Sequence, residues 1–162
     1  DGLLFLPYLL GERAPRWNPY AKGVFFGITP STTREQILRS VMEGIFMNLG
    51  KCLEILTGGN TPDEMLLIGG AARSSQWQQC AADVFRTEVC VPSFLEEANS
   101  MGAAVIAGVG SGIYKDFSAI EKFIKIKEKR MPDSDSEKIY RDLGEKYEKL
   151  YQALISVFHE ER

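Results

Sequence analysis

The sequence contains one histidine, His159, and three cysteines, Cys52, Cys80 and Cys90. His159 sits near the end of a charged helical segment, which argues against a histidine-based catalytic triad. The cysteines are odd in number, widely spaced, and each lies in an apolar periodic stretch. That pattern predicts buried, reduced thiols rather than a disulfide framework, a metal set or a redox pair. No apolar run approaches the roughly 18–20 residues needed to span a bilayer, and the opening "DGLLFLPYLLGERAP" lacks the basic flank and cleavage site of a signal peptide. A cytoplasmic location is expected. Nor is there a basic excess: 19 Lys and Arg stand against 22 Asp and Glu, a formal charge of −3, so no electrostatic footprint for nucleic acid exists. No G-x-x-x-x-G-K-[ST] loop occurs, and no G-x-G-x-x-G opens a helix after a strand, which removes P-loop and simple dinucleotide readings. An initiator Met is also missing, and the sequence is read as a piece of a longer chain.

What is present has the size of one ordinary domain, 162 residues. Pro7, Pro15 and Pro19 break any helical period near the start, so residues 2–23 read as extended and loop-like. "GVFFGIT" reads as a short strand. In "STTREQILRSVMEGIFMNLGKCLEILTGG", Thr32 and Glu35 suggest a capping box, and Ile37, Val41, Ile45, Leu49, Leu53 and Leu56 suggest the apolar stripe of a long helix closed by Gly58 and Gly59. "EMLLIGG" is continuously apolar, as a central strand covered on both faces would be. A helix follows, with Ser75 and Gln78 as a second capping box and Trp77, Cys80, Ala81, Val84 and Phe85 on one face. "EVCVP" reads as a strand and "SMGAAVIAGVGSGIY" as a Gly- and Ala-rich helix packed close to a neighbour. This alternation predicts an α/β fold with a parallel sheet and helices on both faces. "FIKIKEKRMPDSDS" reads as a polar connector, its Lys122–Arg130 stretch as a solvated face. Tyr140, Leu143, Tyr147, Leu150, Leu154 and Phe158 mark one stripe of a terminal helix.

In open parallel sheets ligands bind beyond the carboxyl ends of the strands. Gly69 and Gly70 occupy such an end. A glycine pair lets a ligand meet the main chain with no Cβ in the way, and the helix start near Ser74 offers free N–H groups and a positive dipole end, suited to phosphate or a ribose hydroxyl. The same pair also serves as a tight turn into a helix. Glu12 and Arg13, in "GERAP", suit either contact with a polar substrate or pairing that orders their loop. Glu43, among Met42, Ile45 and Phe46, is expected to have a partner and a structural role.

"GVFFGITPSTTREQILRSVME", Gly23 to Glu43, resembles the second signature of the FGGY carbohydrate kinases. "LPYLLGERAPRWNPYAKG" is similar to the loop before that signature in the xylulokinase and gluconokinase branch. "LLIGGAARSSQWQQCAADVF" resembles the family's adenosine-binding strand and helix, and "EEANSMGAAVIAG" its last core helix. The resemblance implies part of the carboxy-terminal, ribonuclease H-like (actin-like ATPase) domain. Residues 1–131 would form its core, comprising an active-site-side loop (1–22), a strand and helix core (23–114) and a connector (115–131), with 132–162 as the carboxy-terminal helix. The full enzyme would transfer the γ-phosphoryl group of ATP, with Mg2+, to a sugar or sugar-acid hydroxyl, xylulose or gluconate. Gly69, Gly70 and Ala71 would meet the nucleotide phosphates and ribose, and Ser74 would contact the nucleotide where several relatives carry Asn. The family's catalytic aspartate, phosphate loops and most of the sugar and magnesium contacts lie upstream, so this chain alone is expected to be inactive. A non-catalytic actin-like nucleotide-binding or assembly module is the alternative, which the "GERAP" loop and the complete signature disfavour. A hydrophobic sheet edge beside "GVFFGI" would favour a homodimer.

Overall fold

The segment Leu-Phe-Leu-Pro near the start is more regular than its prolines suggest. In the computed structural model, which describes residues 2–160, Leu4–Pro7 forms strand β1 and pairs antiparallel with β2, Gly23–Phe26. Pro7 is tolerated because it closes the strand. The register sets Phe5 opposite Phe25, with ring centroids 4.4 Å apart. On the other face of β2, Val24 packs against the cluster of Leu4, Leu6 and Tyr8, while Phe26 and, just beyond the strand, Ile28 are more than half exposed.

Helix α1, Arg34–Leu56, is capped by Thr33 and Gln36 rather than by Thr32 and Glu35. Thr32 is already engaged, its Oγ1 accepting the Thr29 amide at 2.8 Å, so the next threonine takes the cap. The buried residues of α1 also differ from the expected stripe. Ser40, Gly44, Phe46 and Met47 face inward, while Leu49 and Leu56 are exposed. The helix has two neighbours, β1 under Gly44 and the next helix beside Phe46, so its apolar positions serve two faces. Gly58 and Gly59, both with positive φ, end it as expected.

"EMLLIGG" yields only a short strand, β3 (Glu64–Leu66), at the edge of a three-stranded sheet rather than at its centre. Leu66 and Ile68 are 48% and 44% exposed, so the expected cover on both faces is missing among the described residues. Strand β4, Glu88–Pro92, pairs parallel with β3 and antiparallel with β5, Ile126–Arg130. The single parallel sheet is thus replaced by an antiparallel pair and a mixed sheet. The polar connector is corrected as well: β5 satisfies its backbone on β4 while Lys125, Lys127 and Lys129 stay exposed, the charged lining that blunts a sheet edge.

Helix α2, Ser75–Phe85, buries Cys80, Ala81 and Phe85 against Phe46 and Val89, with Trp77 and Val84 packed beside them. Helix α3, Ala98–Gly110, does not press on a neighbouring helix through its glycines. Its one tight spot is Gly108, where a Cβ would lie 2.5 Å from the Tyr114 ring. Helix α4, Glu137–Glu160, follows the expected stripe, with Tyr151 added to it: Tyr147, Tyr151 and Phe158 are buried with Leu4, Leu6 and Tyr8, and Tyr140, Leu143, Leu150 and Leu154 pack around them. Apolar side chains buried this fully, such as Leu6 and Phe46, contribute roughly 1.5–3 kcal/mol each. No helix among the described residues is long and apolar enough to cross a membrane.

Glu43 has the expected structural role. Its Oε1 accepts hydrogen bonds from Arg39 Nε and Tyr140 Oη, both at 2.8 Å. Asp83 on α2 adds an ion pair to Arg39 at 4.0 Å and accepts the Asp133 amide, so one polar cluster joins α1, α2 and the start of α4. Cys80 beside it is fully buried, Cys90 is buried too, and all three thiols are free.

Burial pushes the Cys80 thiol up to about 12 and the Tyr8 phenol up to about 12. Both folded values lie above the unfolded ones, so the stability these groups contribute is complete below about pH 9 and is lost as pH rises toward 12. Cys80 alone accounts for about 1.4 kcal/mol per pH unit in that window. The expected outcome is a melting temperature that is flat from pH 7 to 8.5 and then falls. In Cys80→Ala the fall between pH 9 and 10 is shallower; a wild-type melting temperature unchanged at pH 11 would contradict this.

Candidate functional site

At the end of β3 the Leu67 amide still bonds Cys90 O at 2.9 Å, and then the chain leaves the sheet. Gly69 takes φ 79°, ψ −161°, a conformation essentially reserved for glycine. A one-turn 3-10 helix, Gly70–Arg73, leads into α2. Ala72 is the buried anchor of this turn, and Gln78 Nε2 on α2 donates to Ala72 O at 2.8 Å. Gln78 therefore holds the turn from below and takes no part in the expected capping box. Ser74, not Ser75, is the N-cap, and it makes no side-chain cap bond; its Oγ engages Gln76 Oε1 at 2.9 Å.

The result is a surface of backbone donors. Gly69 and Gly70 are exposed, and a Cβ at either would meet nothing within 4 Å. The first amides of the turn and of α2 have no side-chain acceptor in front of them, and they lie at the positive end of an 11-residue helix. Ala71 is half-buried between them. Because β3 and β4 are parallel, the loop after β4 emerges at the same end of the sheet, and the N-terminus of α3, with Glu97 as N-cap, also lacks a side-chain cap. Arg73 and Glu96 link the two loops by an ion pair at 2.5 Å. This arrangement suits phosphate oxygens and ribose hydroxyls, which accept from and donate to main-chain groups.

Sequence reasoning missed Arg73 and Glu96. Arg73 lies inside the quoted motif and was open to notice. Glu96 carries no local signal, because its place opposite Arg73 follows only from the pairing of β3 with β4.

Glu12 and Arg13 lie elsewhere. Residues 12–18 form a closed loop in which Glu12 and Asn18 exchange both backbone hydrogen bonds, at 2.8 and 2.7 Å. The Glu12 side chain is 3% exposed and its Oε2 accepts the Arg16 amide at 3.0 Å. Arg16 in turn stacks over Tyr151, 4.0 Å from the ring centroid, and pairs with Glu148. Arg13 points to solvent. No hydrogen bond or ion pair among the described residues joins this loop to the Gly69–Ser74 turn.

Among the described residues one group has the spacing of metal ligands: Glu64, Glu88 and Cys90, whose ligand atoms lie within 4.8 Å of one another. It sits at the opposite, amino-terminal ends of β3 and β4. Burial, with the neighbouring Glu88 and Glu64 carboxylates, pushes the Cys90 thiol up to about 11, and the Lys129 ammonium already occupies Glu88. A hard divalent cation prefers an all-oxygen set, so this group does not fit magnesium.

The model of the carboxy-terminal domain of the FGGY family of carbohydrate kinases matches residues 1–111. The gluconokinase of Bacillus subtilis (strain 168) is 39% identical over 145 residues, covering 88% of this chain and 28% of the relative. A xylulose kinase of Staphylococcus epidermidis is 36% identical over 154 residues, covering 94% and 31%. The crystal structure of ligand-bound xylulose kinase from Lactobacillus acidophilus superposes with a TM-score of 0.87 at 28% identity, covering 98% of this chain and 32% of the other. The chain thus spans about a third of the length of the relatives it matches.

Proposed function

The chain belongs to the FGGY family of carbohydrate kinases, and from that premise we propose that it is the nucleotide-binding, carboxy-terminal part of an ATP-dependent sugar kinase. The observation that carries this reading is the open glycine turn at the end of β3, with uncapped amides on both sides of Ser74. ATP supplies the γ-phosphoryl group. Within this chain, Gly69 and Gly70 admit the nucleotide to the main chain, the amides of Gly70 and Ala71 donate to it, and Ser74 offers a hydroxyl at the start of α2. Arg73 and Glu96 hold the two strand-end loops in register. Buried Gln78 keeps the turn rigid, so the donors are arranged before the nucleotide arrives.

The chemistry itself belongs to other parts of the full-length enzyme. Phosphoryl transfer needs a positioned base, a metal and phosphate-gripping groups. The carboxylate that contacts the turn, Glu96, is exposed and tied to Arg73, and the one metal-like group among the described residues does not fit magnesium. The chain alone is therefore inactive in this reading. Xylulose and gluconate are the favoured acceptors because relatives named for each align over nearly all of this chain. Assay of the full-length parent with ATP and magnesium against xylulose, gluconate and glycerol is expected to show turnover with one of the first two, while the 162-residue chain shows none. Turnover by the chain alone, or by neither, would contradict the proposal.

A further inference from the structure

A cavity of about 590 Å³ opens between α1, α4 and the turn joining α2 to β4. Its volume is that of a small-molecule site. None of Gly69, Gly70, Ala71, Ser74, Glu12 or Arg13 lines it, so it is separate from the glycine turn. The floor is apolar, built from Met47, Leu53, Phe85 and Tyr147. One wall is kept clear by Gly144 of α4, where a Cβ would meet nothing within 4 Å.

The rim is charged, and the pairing of its charges is uneven. Lys51 is taken by Glu54 at 3.1 Å, and Glu148 by Arg16. Arg141 has only Asp142 among the described residues, at 4.0 Å. Among the described residues, Arg86, the left-handed C-cap of α2, and Lys149 of α4 have no side-chain partner, against one unpaired acid, Glu145. Among the described residues two free cations thus stand over an apolar floor, and they come from separate elements. An anionic group would answer the cations, and an apolar body would displace water from the floor.

We infer that this cavity binds a small organic anion with an apolar body, at a site distinct from the nucleotide turn. A suitable probe is 8-anilinonaphthalene-1-sulfonate, which joins a sulfonate to an aromatic body and brightens when desolvated. Titrated against the 162-residue chain at pH 7.5, it is expected to bind one site saturably, and more weakly as sodium chloride is raised. Reversing the charges with Arg86→Glu and Lys149→Glu together weakens binding at least about tenfold. Gly144→Leu abolishes it without lowering the melting temperature, because the new side chain enters open space on a helix that prefers leucine to glycine. That variant separates loss of the site from loss of the fold. ADP leaves the probe in place. Binding unchanged within about twofold in either variant, absence of a saturable site, or displacement of the probe by ADP would each overturn the inference.

Discussion

Gly44→Ala is expected to lower the stability of the chain by about 3 kcal/mol, and its melting temperature by roughly 10 °C. The direction runs against local propensity, since alanine in a helix interior normally gains close to 1 kcal/mol over glycine. At Gly44, however, an added Cβ would stand 2.1 Å from Phe5 O and 3.0 Å from the Phe5 carbonyl carbon. Both contacts are backbone, so no side chain is able to swing away. Helix α1 must lift from β1, and the separation propagates to Leu4, Leu6 and Met47, which share one buried cluster. Gly144→Ala is the matching control: the same exchange in α4, at a position where a Cβ meets nothing within 4 Å, is expected to stabilise by about 1 kcal/mol. Thermal unfolding of the two variants side by side checks the sign of each. A stabilised Gly44→Ala would mean that α1 and β1 do not approach as closely as described.

The same glycine shows how far the sequence could be read. A 3.6-residue period marked α1 as a helix, and its start and end fell within a residue or two of the observed ones. The period did not reveal which face was inward, because α1 is shared between β1 and α2 and its tightest contact is made by a residue with no side chain. Helix α4 was largely legible, since its stripe from Tyr140 to Phe158 packs on the cluster of Leu4, Leu6 and Tyr8, although buried Tyr151 fell outside the stripe expected. Strand β5 was missed because its lysines spell a solvated segment, and only the edge of β4 gives them a strand to join. "EMLLIGG" misled in the other direction: its apolar run reads as a covered strand, yet Leu66 and Ile68 are half exposed among the described residues. The misplaced capping boxes share one cause. Each cluster of hydroxyl residues offers several candidate caps, and the choice depended on a competing hydrogen bond to the preceding turn, Thr29 for Thr32 and Ala72 for Gln78.

At the site, legibility was better for main chain than for side chains. Gly69 and Gly70 stood out because an apolar run that stops at two glycines needs a reason, and the left-handed Gly69 with open space above both residues supplies a backbone one. Glu12 was visible as a charged residue in a Pro-rich loop, but its burial was not. It holds Arg16, and Arg16 fastens the loop to α4 through Tyr151 and Glu148.

Gly70→Val is expected to remove nucleotide binding while leaving the fold intact. Unlike Gly69, Gly70 has an ordinary negative-φ backbone, and a side chain there meets no atom of the protein. Valine therefore adds no packing clash and occupies the space through which a nucleotide reaches the amides of Gly70 and Ala71. Arg13→Ala changes a charge in a loop that does not touch the turn, and serves as the control. Calorimetric titration of ADP into the wild-type chain and these two variants is the direct measurement. The account predicts at least about a hundredfold loss of affinity, about 2.7 kcal/mol, in Gly70→Val, with Arg13→Ala matching wild type and all three melting alike. Equal affinity for ADP in Gly70→Val and wild type would contradict it.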